Sequence, residues 1–140
     1  MNQSNSVAES NKTLIRTYFE EVFNNHNLKS VYKYFIPPGG ERFKEIFSNY
    51  LSGFPDLHCT LDHIMAEEDK VAVFATWYGT QKGEFQGIPA TDKHTTFRSV
   101  DLYRISNGKI IEHWDVVDTL TMLRGLNAIT INVGGTTSNY

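Results

Sequence analysis

Near the end of the chain, residues 112–118 read Glu-His-Trp-Asp-Val-Val-Asp, which sets three carboxylates, an imidazole and an indole within seven positions. On a β-strand, side chains alternate between faces, so Ile111, His113, Asp115 and Val117 share one side and Glu112, Trp114, Val116 and Asp118 the other. The stretch before it alternates too, with Phe97, Ser99, Asp101 and Tyr103 opposed to Arg98, Val100, Leu102 and Arg104. Ser106-Asn107-Gly108 is a strong hairpin turn, which makes the two strands neighbours. Asp101, Asp115, His113 and Ser99 then converge with Phe97 and Tyr103 on one concave surface.

That grouping has the ingredients of proton abstraction beside a carbonyl. A carboxylate in an apolar, aromatic wall has its charged form disfavoured, so its pKa rises toward working pH. A second acid or a histidine can donate to the developing enolate oxygen. Two close carboxylates also push their titrations apart, which separates acid from base. The expected catalytic groups are Asp115 as base, with Asp101 or His113 supplying the proton or hydrogen bond. Ser99, Phe97, Tyr103, Tyr18, Trp77 and Tyr50 are expected to bind the substrate. The residues alone also permit plainer roles. Asp115 can accept backbone amides or pair with Arg98 or Arg104, Asp101 can orient another polar group, and the Trp and Tyr side chains can be core.

The elements that must position these groups follow from apolar spacing. Leu14, Ile15, Tyr18, Phe19, Val22 and Phe23 repeat with the helical period, with Ser10 or Asn11 as cap. A shorter helix carries Leu28, Val31, Tyr32 and Phe35, and Pro37-Pro38-Gly39-Gly40 ends it. A third, from about Glu41, buries Phe43, Phe47, Tyr50 and Leu51. The period then changes to two: strands from Leu57 to Met65, 71–80, 95–105 and 109–117, with a turn at Glu67-Glu68-Asp69 and a loop over 83–92. Residues 119–126 can close with a short helix. Helices segregated from an antiparallel sheet mean an α+β fold. Residues 1–10 are expected to be a disordered lead-in, 11–127 a single domain and 128–140 a polar tail.

Composition narrows the function classes. The 140 residues are 40% apolar and 21% charged with net charge -3, those of a globular domain and not of a disordered chain. No apolar run is long enough to span a bilayer, and residues 1–10 lack the basic and apolar regions of a secretory signal, so no membrane partner and a cytoplasmic setting are expected. Thirteen basic residues without a run argue against nucleic acid. The single cysteine, Cys59, cannot form an internal disulfide. His26, His58, His63, His94 and His113 are scattered, and His58 and His63, five apart on one strand, should face opposite ways, so no metal site is expected. The 13% of aromatic residues suits a small apolar or aromatic ligand.

These residues carry a resemblance. The helix Leu14-Ile15-Arg16-Thr17-Tyr18-Phe19-Glu20-Glu21-Val22-Phe23-Asn24, the strand entry Phe54-Pro55-Asp56-Leu57, the loop from Gly83 to Thr91 and the hairpin from Asp101 to Asp115 keep the order of the SnoaL-like polyketide cyclases, in the nuclear transport factor 2-like (ketosteroid isomerase-like) superfamily. The chain resembles this family over roughly Lys12 to Leu126. The resemblance implies a cone-shaped barrel, a curved, mainly antiparallel sheet wrapped around about three N-terminal helices. It also implies a homodimer or higher homo-oligomer, and intramolecular aldol ring closure or isomerisation of a polyketide-like carbonyl substrate without metal or cofactor. The family's acid/base aspartate matches Asp115. The chain departs from the family at Asp101, where the cyclases have a histidine, and at Ser99, where they have a longer amide. It also departs at Phe35 to Gly40, where a polar His/Asn-x-Pro element is usual. Those losses keep open a non-catalytic binding or dimeric interaction module of the same fold.

Overall fold

The apolar face of the N-terminal segment forms a helix that starts well before its expected cap. The computed structural model describes residues 3–133 and 136–138, and α1 runs over Gln3–Tyr18. Residues 3–10, expected as a disordered lead-in, are therefore helical, and Ser10 and Asn11 lie inside the helix, not at its cap. Helix α1 passes into a π-helical segment, Phe19–Asn24, whose wider turns keep Phe19, Val22 and Phe23 buried. A 3-10 turn at Leu28–Ser30 leads into the short α2, Val31–Tyr34. Glu21 ties this region to the π-helical segment: it accepts hydrogen bonds from Ser30 Oγ, Lys33 Nζ and Tyr34 Oη. After Pro37-Pro38, α3 spans Gly39–Gly53 and begins slightly ahead of Glu41.

Four strands follow, β1 (His58–Glu67), β2 (Lys70–Thr80), β3 (His94–Ser106) and β4 (Lys109–Val117), paired antiparallel in the order β1-β2-β3-β4. The curved sheet stays open, with β1 and β4 as its edges. At the β3–β4 turn, Asn107 and Gly108 both take positive φ (51° and 72°), the backbone that a two-residue hairpin matched to strand twist requires. The loop between β2 and β3 is pinned by the buried Gln81, which donates to the Ile88 carbonyl and accepts from Thr91. Helix α4, Thr119–Gly125, is capped by Asp118, which accepts from the Thr121 amide and hydroxyl. In the expected polar tail, Ile131–Val133 pairs with Thr136–Ser138, and 134–135 and 139–140 lie outside the described residues, as do 1–2.

Two bulges alter the expected alternation. Across β3 and β4, Arg104 faces Glu112 but Ile105 faces Ile110, so Ile111 is the extra residue and Ile110 takes the buried position. The expected set Ile111, His113, Asp115, Val117 holds only from His113 onward. In β1, Leu61 faces Ala75 and His63 faces Phe74, so Asp62 is extra. His58 and His63 consequently lie on the same outer face, against expectation, and Ile64 and Ala66 turn toward the helices while Met65 is exposed. Between sheet and helices the core holds Ile15, Tyr18, Phe19, Val22, Phe54, Leu57, Val71, Val73, Tyr103 and Ile110, each at most 1% exposed.

Candidate active site

Strand β3 carries the inward row Thr95, Phe97, Ser99, Asp101, Tyr103 and Ile105, all buried, in the predicted parity. It lies between β2 and β4, so the three middle residues of the row have a cross-strand partner on both sides: Ser99 faces Ala75 and Val117, Asp101 faces Val73 and Asp115, and Tyr103 faces Val71 and His113. Helix α3 supplies the opposite wall. Phe43, Ile46, Phe47 and Tyr50 follow the helical i, i+3, i+4, i+7 spacing and look onto the same space.

The space between them is a narrow hollow of about 70 Å3, lined also by Phe23, Leu57, Trp77, Phe97, Ser99, Asp101, His113, Asp115 and Val117. Of the expected site residues it gathers Asp115, Asp101, His113, Ser99, Phe97, Trp77 and Tyr50. Tyr18 and Tyr103 are not among its lining. Both are fully buried in the core behind it, in an edge-to-face cluster with Phe19 and with each other. Burial, with the Asp101 charge adding to it, pushes both phenols well above their ordinary range. Sequence reasoning placed Phe23, Phe43, Phe47 and Leu57 on buried faces without assigning them to the site. Ile46 carries the i+3 spacing from Phe43 that could have marked it, but it lies at the border of the apolar stripe and is 44% exposed.

The polar part is a chain of three hydrogen bonds. Trp77 Nε1–H donates to Ser99 Oγ at 2.9 Å, Ser99 Oγ–H donates to Asp101 Oδ2 at 2.7 Å, and Asp101 Oδ1 lies 2.9 Å from His113 Nε2. The His113 ring is stacked on Tyr103 (4.6 Å between centroids, 12° between planes) and meets Phe43 edge-on. Phe43 in turn stacks on Phe35. The wall beside α2, where the family resemblance implies a polar element, is therefore aromatic.

Asp115 sits differently from its expected place in a water-poor interior. It lines the hollow but is exposed, because β4 is an edge strand and no further strand covers its far side. The carboxylate withdrawn from water is Asp101, 6% exposed. Pairing of Asp115 with Arg98 or Arg104 is ruled out by parity, since both arginines are on the outer face and Arg104 bridges to Glu112 there. Tyr50, half-buried at the mouth, has its phenol raised by burial and by the nearby Asp115 and Asp101 charges.

Ligand-type atoms of Asp101, His113 and Asp115 all lie within 4.8 Å of one another, the grouping that the strand alternation led one to expect. Asp101 and His113 already satisfy each other and Ser99. In chemical terms the trio is an imidazole held by a buried carboxylate, beside a second carboxylate reachable from solvent.

On the outer face, Phe74, Val100 and Val116 lie abreast across β2, β3 and β4, next to the Leu102–Trp114 pair. Phe74, Val100, Trp114 and Val116 are all exposed. No helix is long and apolar enough to cross a membrane among the described residues.

Comparison with known proteins agrees with this architecture. Among solved structures, the chain is similar to AclR, a candidate hydroxylase from Streptomyces galilaeus (27% identity, TM-score 0.80, covering 91% of this chain and 87% of that one). It is also similar to IdmH, a candidate polyketide cyclase from Streptomyces antibioticus (26%, 0.74, 84% and 98%). A SnoaL-like protein from Jannaschia, 21% identical with a TM-score of 0.80 over 88% of this chain and 95% of that one, shares the nuclear transport factor 2-like fold. No match is found among curated proteins. The model of the SnoaL-like polyketide cyclases matches residues 12–126, the span that contains every helix and strand lining the hollow, and the chain belongs to that family.

Proposed function

We propose that the protein is a cofactor-independent cyclase or isomerase that works on a small, apolar, polyketide-like carbonyl compound. The reacting end of the substrate enters between Phe97, Trp77, Phe47 and Tyr50. A hollow of about 70 Å3 takes that end only, since pockets that enclose whole drug-sized ligands measure roughly 300–1,000 Å3. The remainder lies in the mouth, beside Asp115. Asp115 removes the proton α to the carbonyl, and the Asp101–His113 pair supplies the hydrogen bond that holds the enolate oxygen. In the aldol case the enolate carbon bonds to a second carbonyl carbon of the same molecule, and the resulting alkoxide takes back the proton from Asp115. In the isomerase case the proton returns to a different carbon.

The observation that carries this reading is the convergence of Asp101, His113 and Asp115 at one apolar hollow. The exposure of Asp115 at the mouth of the hollow supports a base, because its carboxylate can be reached by the substrate and by solvent. Turnover by Asp115→Asn tests it with a substrate that the wild type converts. A loss of about 10²- to 10⁴-fold in kcat is expected, and a rate near that of the wild type removes Asp115 from the mechanism. Tight binding of such ligands with no product formed by the wild type favours a binding module instead.

The apolar outer face supports a homodimer in which a second copy covers Phe74, Val100, Trp114 and Val116. Sedimentation of wild type against Val116→Lys checks this, with dimer expected for the first and monomer for the second. A reducing, cytoplasmic setting accords with a buried free thiol at Cys59.

A further inference from the structure

The hydrogen-bond chain beneath the site has a direction, and donor chemistry sets it. An indole N–H can only donate. Trp77 gives its hydrogen to Ser99 Oγ, so the hydrogen of Ser99 must point elsewhere, and Asp101 Oδ2 accepts it at 2.7 Å. Asp101 thereby receives from one side, and an ionised carboxylate accepts at both oxygens. The hydrogen of the third bond then belongs to His113 Nε2.

We propose that Trp77, acting through Ser99 and Asp101, fixes the neutral form of His113 as Nε2–H, so that the hydrogen bond the pair lends to the enolate oxygen comes from Nδ1–H once the ring is protonated. Trp77, Ser99 and Asp101 are then positioning residues, and His113 is the group that meets the substrate. The role in turnover rests on the function proposed above; the proton arrangement does not. Packing supports it: Tyr103 stacks on one side of the imidazole and Phe43 meets it edge-on, so the ring cannot turn without losing its bond to Asp101. The titratable groups around it are Asp101 and Tyr103 on β3, Asp115 on β4 and Tyr50 on α3.

A plainer account has Ser99 there only to satisfy a buried indole. The two accounts differ in what they demand of Asp101→Asn. With the Ser99 hydrogen committed by Trp77, the introduced amide must turn its oxygen to Ser99 and its NH2 to His113. Nε2 then has to accept, and the histidine switches to the Nδ1–H form. The experiment is imidazole ¹⁵N NMR of the full-length protein at a pH where His113 is neutral, with no substrate present. Expected are the Nε2–H pattern in wild type and the Nδ1–H pattern in Asp101→Asn, the ratio of the two forms shifting by about tenfold or more, as one hydrogen bond commands. Adding Trp77→Phe to Asp101→Asn frees the serine and returns a mixture. Ser99→Ala in the same background does likewise and serves if Trp77→Phe does not fold.

An Asp101→Asn protein that keeps Nε2–H, or a double variant that stays fully switched, overturns the proposal. Failure of the cyclase reading shows elsewhere, as unchanged turnover in Asp115→Asn.

Discussion

Asp101 and Asp115 face each other across adjacent strands, yet their surroundings differ almost completely. Asp101 is on the inner strand β3, buried, with Ser99 and His113 bonded to its two oxygens. Asp115 is on the edge strand β4, exposed, facing the mouth of the hollow. Two residues of one type at one register level are thus divided by their place in the sheet. The inner position favours a fixed carboxylate that holds its neighbours, since both flanking strands and the helices exclude water there. The edge position leaves a carboxylate that can meet a substrate and exchange protons with solvent.

If this division is right, substitutions on β3 disturb the fold and those on β4 disturb chemistry. The largest stability effect is expected from Phe97→Ala, which opens a void beside the stacked Trp77 ring and should cost about 3–5 kcal/mol in denaturant unfolding. Asp101→Ala comes next, at about 1–3 kcal/mol, because the Ser99 hydroxyl and the His113 imidazole lose their shared partner in a buried setting.

A smaller effect appears only in alkali. Tyr18 and Tyr103 have folded-state phenols well above the ordinary value of 10.0, mainly through burial, and Cys59 is pushed up to about 12 from 9.0 for the same reason. A raised pKa means that the folded state keeps protons the unfolded chain releases. Stability should therefore be level below pH 9, fall as pH rises through the ordinary cysteine and tyrosine values, and go on falling toward the folded-state ones. Neither tyrosine hydroxyl has a hydrogen-bond partner of good geometry among the described residues. Tyr103→Phe should therefore be nearly neutral at pH 7 and reduce the alkaline slope, as followed by thermal melts from pH 7 to 11. The smallest change is expected from Asp115→Ala, within about 0.5 kcal/mol of wild type, while its turnover collapses. A destabilisation equal to that of Asp101→Ala would erase the distinction between the two strands.

Much of the fold was legible because its signals are local. The turn residues Asn107-Gly108, the inward row of β3 and the helical spacing of Phe43, Phe47 and Tyr50 are each readable within a dozen residues. The bulges at Asp62 and Ile111 were not, since an extra residue is defined only against the partner strand; the first reversed the parity from His63 onward, and the second turned Ile110 inward in place of Ile111. The early start of α1 was hidden for a different reason: Gln3 to Ser10 are largely exposed, so no apolar spacing marks them. At the site, residue types pointed to Asp101, His113 and Asp115 together, but not to which carboxylate would be dry.

The amino-acid sequence by itself determined the α+β order, the antiparallel hairpin and the identity of the polar groups, because apolar period and turn chemistry act between near neighbours in the chain. Only the tertiary structure decided that Trp77, on β2, feeds the chain ending at His113, that Tyr18 and Tyr103 stand behind the hollow and not in it, and that Asp115 meets water. Those facts depend on which strand is inner, which is an edge and what the helices cover, and such exclusion of solvent is a property of packed surfaces, not of any segment alone.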